Sequence, residues 1–386
     1  MKPSKILSYN HRGFRYGDRA LTKEHSYMHS LVFGVSGSGK SSQIFWNNYL
    51  VDREASLIIR DVAGDFIQAS GFLVSKGYDV KIVNLTNAGK STDGINVLSG
   101  ELTKSDIARI AQQITGASFG NSNDYWSLSA EEYCTAFLTL QKEVCPPDTH
   151  NLYNLKLLIE SFMADMSCID GLLIRSKNTD LHTAFKAIIA TPEKSRLSTL
   201  TTLKATLARI DDHIALVTSQ STFDWQDLRK KKTAVFIQSS VLDDTFLSTI
   251  QSLLYTSILK NLMTKLPEPG DLPVYLFLDE CSSLSIGKIL ETSFLNLRKY
   301  RCGICAAFQS PSSLESTYGK QIAQVIEANA YTKLYLRGMA LSTAKYLEDY
   351  VGKEEVVQEN GSTRTESILP AFTIRTLKDK AILLTG

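Results

Sequence analysis

Two short stretches carry residue types suited to phosphate chemistry. In Leu31 to Ser42, LVFGVSGSGKSS, the segment Gly34-Val35-Ser36-Gly37-Ser38-Gly39-Lys40-Ser41 fits G-x-x-x-x-G-K-[ST]. A triphosphate calls for concentrated positive charge with little bulk. Glycines let backbone N–H groups wrap its phosphates, Lys40 reaches the β/γ oxygens, and the Ser41 hydroxyl holds Mg²⁺ with Ser42 beside it. The second stretch, Leu276-Phe277-Leu278-Asp279-Glu280, is an apolar run that ends in two acids. Hydrolysis needs an acid in the metal's shell and a base beside the attacking water, and Asp279 and Glu280 supply them in that order. Together the two stretches predict an ATPase that uses ATP and Mg²⁺.

Other polar residues at strand ends join the candidates. Gln309 follows the apolar run Cys302 to Phe308, where an amide can sense a γ-phosphate or hold water. Arg298 and Arg301 precede that run, and either could be offered to a neighbouring subunit's γ-phosphate to neutralise transition-state charge. Asp61 ends the run that begins at Ala55, the mark of a central parallel strand whose C-terminal end faces a ligand.

These residues must be positioned by strands and helices. Leu31-Val32-Phe33 reads as a buried strand, and Ser42 to Leu50, with Ile44, Phe45, Tyr49 and Leu50, as a helix. Residues 55–61 and 79–84 read as further strands of a βαβαβ rhythm, after a polar arm over residues 1–30 that packs on the core. From about Leu98 helical signals take over. Ser105 is the expected cap of a helix with Ile107, Ile110, Ala111 and Ile114 on one face, and no strand signal stands between Thr103 and Thr222. Strand signal returns at residues 233–238, 274–278, 302–308 and 331–336, and Phe246, Ile250, Leu253, Leu254 and Leu262 mark a helix face. Glu359 to Ser367, ENGSTRTES, reads as a mobile loop. The expected fold class is α/β: residues 1–98 and 223–386 form a nucleotide-binding domain with a mainly parallel sheet, and residues 99–222 form an inserted all-α domain.

With 386 residues, 43% of them hydrophobic and 21% charged, the chain can build a large core and two domains. A net charge of +2 neither demands nor excludes nucleic acid, since a ring of subunits can concentrate a modest basic patch in a channel. The six cysteines are scattered, and Cys302-Gly-Ile-Cys305 lies in an apolar run without partner cysteines or histidines at metal spacing. Such thiols suit a reducing cytoplasm. No apolar run reaches the ~18 residues of a membrane helix.

Leu-Phe-Leu-Asp-Glu, Leu284, Arg298, Gly303, Phe308-Gln309-Ser310, Leu314, Tyr318-Gly319, Asn329 and Thr343-Ala344 together resemble the type IV secretion coupling proteins of the VirD4, TraG and TraD kind. Ile58 to Asp65 is similar to that family's Asp-Pro-Lys-Gly-Glu stretch, and Ala381 to Leu384 extends the likeness over nearly all of the chain after residue 30. The resemblance implies a RecA-like P-loop NTPase core interrupted by an all-α domain and assembled as a homo-hexamer. Such a ring moves DNA during conjugation or presents secreted proteins to a channel, with relaxosome and inner-membrane channel components as partners. It implies phosphate and Mg²⁺ ligands at Lys40 and Ser41, a Walker B pair at Asp279 and Glu280, a sensor at Gln309, and an arginine finger at Arg298 rather than Arg301. Asp61 falls on an acidic position near the metal.

The match has departures. Val62 and Ala63 stand where the family has Pro and Lys, and Cys281-Ser282 where it has Phe and Ala. The family's N-terminal transmembrane region has no counterpart here. The expectation is either the soluble part of a longer protein or a variant docked on a membrane partner, at the cytoplasmic face of a bacterial inner membrane. Two other readings use the same residues: a non-motor ATP-binding adaptor for secreted proteins, and a different DNA translocase of the FtsK or HerA kind.

Overall fold

The computed structural model describes every residue except 1–5, 120–124, 241, 244–246, 358–361, 379 and 386. Near the N-terminus, β1 (Leu7–Ser8), β2 (Arg15–Tyr16) and β3 (Arg19–Leu21) form a small antiparallel sheet in the order β1-β3-β2. The apolar runs then become strands of one larger sheet: β4 (Ser30–Phe33), β5 (Ser56–Asp61), β6 (Asp79–Asn84), β7 (Thr233–Gln238), β8 (Val274–Leu278), β9 (Cys302–Phe308) and β10 (Thr332–Tyr335). After the hairpin of β11 (Lys353–Val357) and β12 (Thr363–Ser367), β13 (Ile382–Thr385) completes it. The strand order is β13-β10-β4-β9-β8-β5-β7-β6, with β10, β4, β9, β8 and β5 mutually parallel and β13 antiparallel at one edge. The chain therefore has a mainly parallel α/β sheet.

Every residue of β4, β5, β7, β8 and β9 is buried, as strands covered on both faces must be. Pairing of Phe33 with Phe308, Leu278 with Ala306 and Ile59 with Phe277 brings four strands to an end on the same side. The polar residues that follow those strands emerge there together. Behind them, Tyr49 meets Phe277 edge-on at 5.3 Å and Phe66 at 4.9 Å, and Phe14 packs 5.0 Å from Tyr275. The N-terminal arm is bound into this core. Asn48 accepts from the Arg15 amide at 2.9 Å and donates to its carbonyl at 3.0 Å.

By its internal contacts the chain divides into two compact units, Met1–Val80 with Gln226–Phe236 and Leu259–Gly386, and Lys81–Trp225 with Ile237–Ile258. The second unit contains the helices Lys104–Phe119, Tyr125–Val144, Leu152–Ala164, Thr179–Ala190 and Glu193–Leu207. Phe137, Phe162 and Phe185 meet edge-to-face at 5.2–6.0 Å in its core. Asn151, Asn178 and Asp211 cap their helices through backbone amides three residues on.

Two local expectations change. The cap of the helix Lys104–Phe119 is Thr103 instead of Ser105: Thr103 and Asp106 exchange side-chain-to-amide hydrogen bonds at 3.3 and 3.0 Å, while Ser105 only meets the Thr103 hydroxyl. Thr363–Ser367 is a strand, not loop, because β-branched Thr363 and Thr365 pair with Val357 and Glu355; Glu359, Asn360 and Gly361 lie outside the described residues. The helix expected from Phe246 runs Ser248–Leu262, and Phe246 itself lies outside the described residues. All six cysteines are free, with Cys302 and Cys305 buried in β9. Among the described residues no helix is long and apolar enough to cross a membrane.

His29 is a structural element. It is buried at φ +62°, its Nδ1 accepts from the Ile304 amide at 3.1 Å, and its ring lies 4.8 Å from Phe294. Burial lowers its pKa from 6.5 to about 3. With the folded-state value below the unfolded one, the unfolded chain takes the proton first, so stability is intact above about 6.5 and falls as pH drops below it. Acid unfolding monitored by circular dichroism should show a loss of up to about 1.4 kcal/mol per pH unit in that window. His29→Asn, which tolerates positive φ and keeps an acceptor, should flatten that slope.

Candidate active site

The loop after β4 is shaped by its glycines. Gly37 and Gly39 hold φ of +74° and +101°, a region side chains rarely adopt, and a Cβ on Gly34 would collide with Ser38 Oγ and sit 3.1 Å from Leu336 Cβ. The helix that follows begins in a wide i→i+5 winding over Lys40–Phe45 and continues as Trp46–Tyr49, so it starts two residues earlier than the sequence suggests. Lys40 is buried, and its ammonium donates to the carbonyl oxygens of Gly34 and, at 3.3 Å, Val35.

Across from this loop stands the end of β8. Ser41 Oγ donates to Asp279 Oδ2 at 3.0 Å, joining residues 238 positions apart. Burial raises the Asp279 pKa above its usual value, and hydrogen bonds from Ser41 and from the Glu280 amide offset part of that shift. Glu280 adopts a left-handed φ of +47°, and its Oε1 accepts from Gln309 Nε2 at 3.2 Å. Lys40, Ser41, Asp279, Glu280 and Gln309 thus form one cluster at the carboxyl ends of parallel strands, the usual ligand position in an open α/β sheet.

The other candidates stand apart in function or in place. Asp61 is fully buried, and its Oδ2 accepts from the Ile67 amide at 3.0 Å, fixing the turn into Phe66–Ala69. Arg298 is exposed on the turn Leu297–Tyr300, which precedes β9. Because β9 runs parallel to β4, its seven residues separate Arg298 from the loop of the same chain by about 23 Å of strand. Arg301 takes φ +50° and donates to Glu268 O at 3.3 Å.

The sequence reading missed Arg60. Its guanidinium, fully buried, donates to the carbonyl oxygens of Asp279 and Glu280 at 2.6 and 2.7 Å and to Ser283 Oγ at 2.7 Å. A charged residue inside the run Leu57-Ile58-Ile59-Arg60 was the available signal, since a buried charge requires a partner. Tyr318 was noted only as part of a family pattern. Its hydroxyl donates to Cys281 O at 2.9 Å, bracing the same turn from the helix Pro311–Tyr318.

The family described as type IV secretory system conjugative DNA transfer matches residues 2–385. The chain belongs to that family. Within it, the protein VirD4 of Rhizobium radiobacter is 28% identical over 144 residues, 37% of this chain and 21% of that protein, so the chain spans about a fifth of the length of the known relatives it matches. Among solved structures, the plasmid coupling protein TrwB in complex with ADP and Mg²⁺ covers 100% of this chain and 90% of its own, at a TM-score of 0.75 and 18% identity. VirB4 of Thermoanaerobacter pseudethanolicus covers 87% of this chain and 86% of its own, at a TM-score of 0.56 and 14% identity. These likenesses show a shared fold.

Ionising Asp279 in its half-buried position works against folding. Its folded-state pKa lies above the unfolded value, so the group withdraws stability at neutral pH and returns it as pH falls through the raised value. In scanning calorimetry without nucleotide, Asp279→Asn should melt about 1–3 °C above the parent at pH 7, with the gain shrinking in acid.

Proposed function

We propose that this chain is the ATP-hydrolysing motor of a type IV secretion coupling protein. The observation that carries the reading is the 3.0 Å bond between Ser41 and Asp279, which unites the glycine loop with the acidic strand end. The donor set fits ATP and Mg²⁺. One hydroxyl and one carboxylate leave a Mg²⁺ ion free to keep phosphate oxygens and waters in its shell, and Ser38 Oγ, buried in the loop without a partner, has a hydrogen bond left to give. Bound there, Mg²⁺ would neutralise charge developing on the phosphates.

In this reading the loop amides of residues 34–42 and Lys40 hold the triphosphate, Ser41 and Asp279 hold the metal, and Asp61 stands behind them. Glu280 takes a proton from the attacking water, with Gln309 orienting its carboxylate. Arg298, at the other end of the sheet, acts in trans as the finger of a neighbouring copy, which a homo-hexameric ring supplies. Residues 1–98 and 223–386 form the motor domain and residues 99–222 the inserted all-α domain. The ring works at the cytoplasmic face of the inner membrane with relaxosome and channel components, and its pore engages DNA through phosphates, so binding is sequence-tolerant and salt-sensitive.

A second reading, an ATP-binding adaptor for secreted proteins, draws support from one observation. A cavity of about 1720 Å³ within the helical unit is lined by Glu101, Glu131, Glu132, Glu143, Asp148 and Asp180, with Lys104, Lys142 and His150 as its basic residues.

Hydrolysis rates with and without DNA, across a salt series, separate the readings. The motor is expected to be stimulated by DNA at low salt; low turnover indifferent to DNA favours the adaptor. Lys40→Ala should weaken binding of a non-hydrolysable ATP analogue at least about tenfold, while Glu280→Gln should bind normally and lose about 10²–10⁴ in turnover. Normal turnover in Glu280→Gln removes it as the base. Arg298→Ala should lose about 10³ in rate and recover when mixed with Lys40→Ala subunits, which supply an intact finger; full activity of a monomer defeats the trans arrangement.

A further inference from the structure

The turn that carries Asp279 and Glu280 is unusual in what holds it. Glu280 sits in the left-handed region, which costs a non-glycine residue about 1–3 kcal/mol unless its surroundings enforce it. Backbone hydrogen bonds within the turn are long: Ser283 N reaches Glu280 O at 3.4 Å and Leu284 N reaches Cys281 O at 3.2 Å. The shorter bonds come from side chains of other elements. Arg60 Nη1 spans the successive carbonyls of Asp279 and Glu280 at 2.6 and 2.7 Å, and Arg60 Nη2 holds Ser283 Oγ at 2.7 Å. Ser283 Oγ in turn donates to Glu280 O at 3.2 Å, closing a ring of contacts around that one carbonyl.

From this geometry we infer that Arg60 is a positioning residue for hydrolysis: the two N–H bonds of Nη1, held in the guanidinium plane, set the angle between two peptide carbonyls, and so the direction in which Glu280 projects its carboxylate. The inference rests on the ATPase reading above. Position 60 is the penultimate residue of β5, paired through Ile58 and Ile59 with Leu276 and Phe277 of β8, so the guanidinium is delivered from the neighbouring strand with little freedom. A lysine could not do the same work, because a single ammonium on a flexible stem offers no fixed angle between its acceptors. A fully buried cation is also expensive to keep without hydrogen-bond acceptors, and three acceptors from the one turn are supplied to it. Arg60 touches neither Ser41 nor Lys40 in these bonds. Its loss should therefore affect the chemical step and not the capture of nucleotide.

The test is steady-state hydrolysis by the full chain, with rates expressed per site that binds a non-hydrolysable ATP analogue, so that unfolded protein is not counted. Arg60→Met is expected to lower kcat about 10–100-fold with KM and analogue affinity within about threefold, as expected for a misplaced catalytic group. Arg60→Lys should fall between Arg60→Met and the parent. If Arg60→Met does not fold, Ser283→Ala decides, since it keeps the arginine and removes one of its anchors: kcat should fall several-fold at constant KM. Parent-like kcat per binding site in Arg60→Met, or in Ser283→Ala when that variant decides, overturns the inference while leaving the ATPase reading in place. Loss of analogue binding in step with kcat overturns it too, by making the role merely structural. A parent chain without turnover overturns both.

Discussion

Parallel strands buried on both faces have nowhere to put polar groups except at their ends. β4, β5, β8 and β9 carry no exposed position, and their register ends them together. The residues after those ends, Gly34, Asp279 and Gln309, together with Asp61 at the end of β5 itself, are gathered without any direct attraction between them. The hydrogen bond from Ser41 to Asp279 is a product of that constraint, not its cause. The aromatic layer of Phe45, Tyr49, Phe66 and Phe277 behind the loop serves the same end by fixing the helix that begins at Lys40.

Within this frame, buried charge is confined to places where it shapes backbone. Arg53 donates to Asn48 O at 2.9 Å at the end of the loop helix and lies 5.7 Å from the Tyr275 ring, while the Tyr78 hydroxyl donates to its carbonyl. Arg60 does the corresponding work for the acidic turn, and Asp61 for the turn at Ile67. Each is costly to bury, and each makes hydrogen bonds to main-chain groups that would otherwise be free to reorient. The departures at Val62 and Ala63 fall beside this arrangement. The segment lacks the lysine of the related motif but carries a cation three residues earlier, turned inward onto the strand end.

Fold and site were legible to different depths. The α/β rhythm, the helical stretch and the two chemical segments could be read because each is written in contiguous residues: the glycine pattern at 34–41, the apolar runs at 274–278 and 302–308, the absence of strand signal after Thr103. Errors arose where a local signal had two uses. Thr363 to Ser367 is polar enough for a loop and β-branched enough for a strand, and cross-strand pairing chose between them. Thr103 and Ser105 are both competent caps, and the reciprocal bond with Asp106 picked the first.

By itself the sequence determined the glycine loop, the acidic pair and family membership, because those depend on residue type at fixed spacing. Only the tertiary structure decided which distant residues meet. Ser41 lies against Asp279 and Gln309 against Glu280, Arg298 is left at the far end of its strand, and Arg60 closes on the acidic turn. Register between strands and the handing of a buried charge to a neighbouring backbone involve residues some 30 to 240 positions apart, and no local pattern encodes that distance.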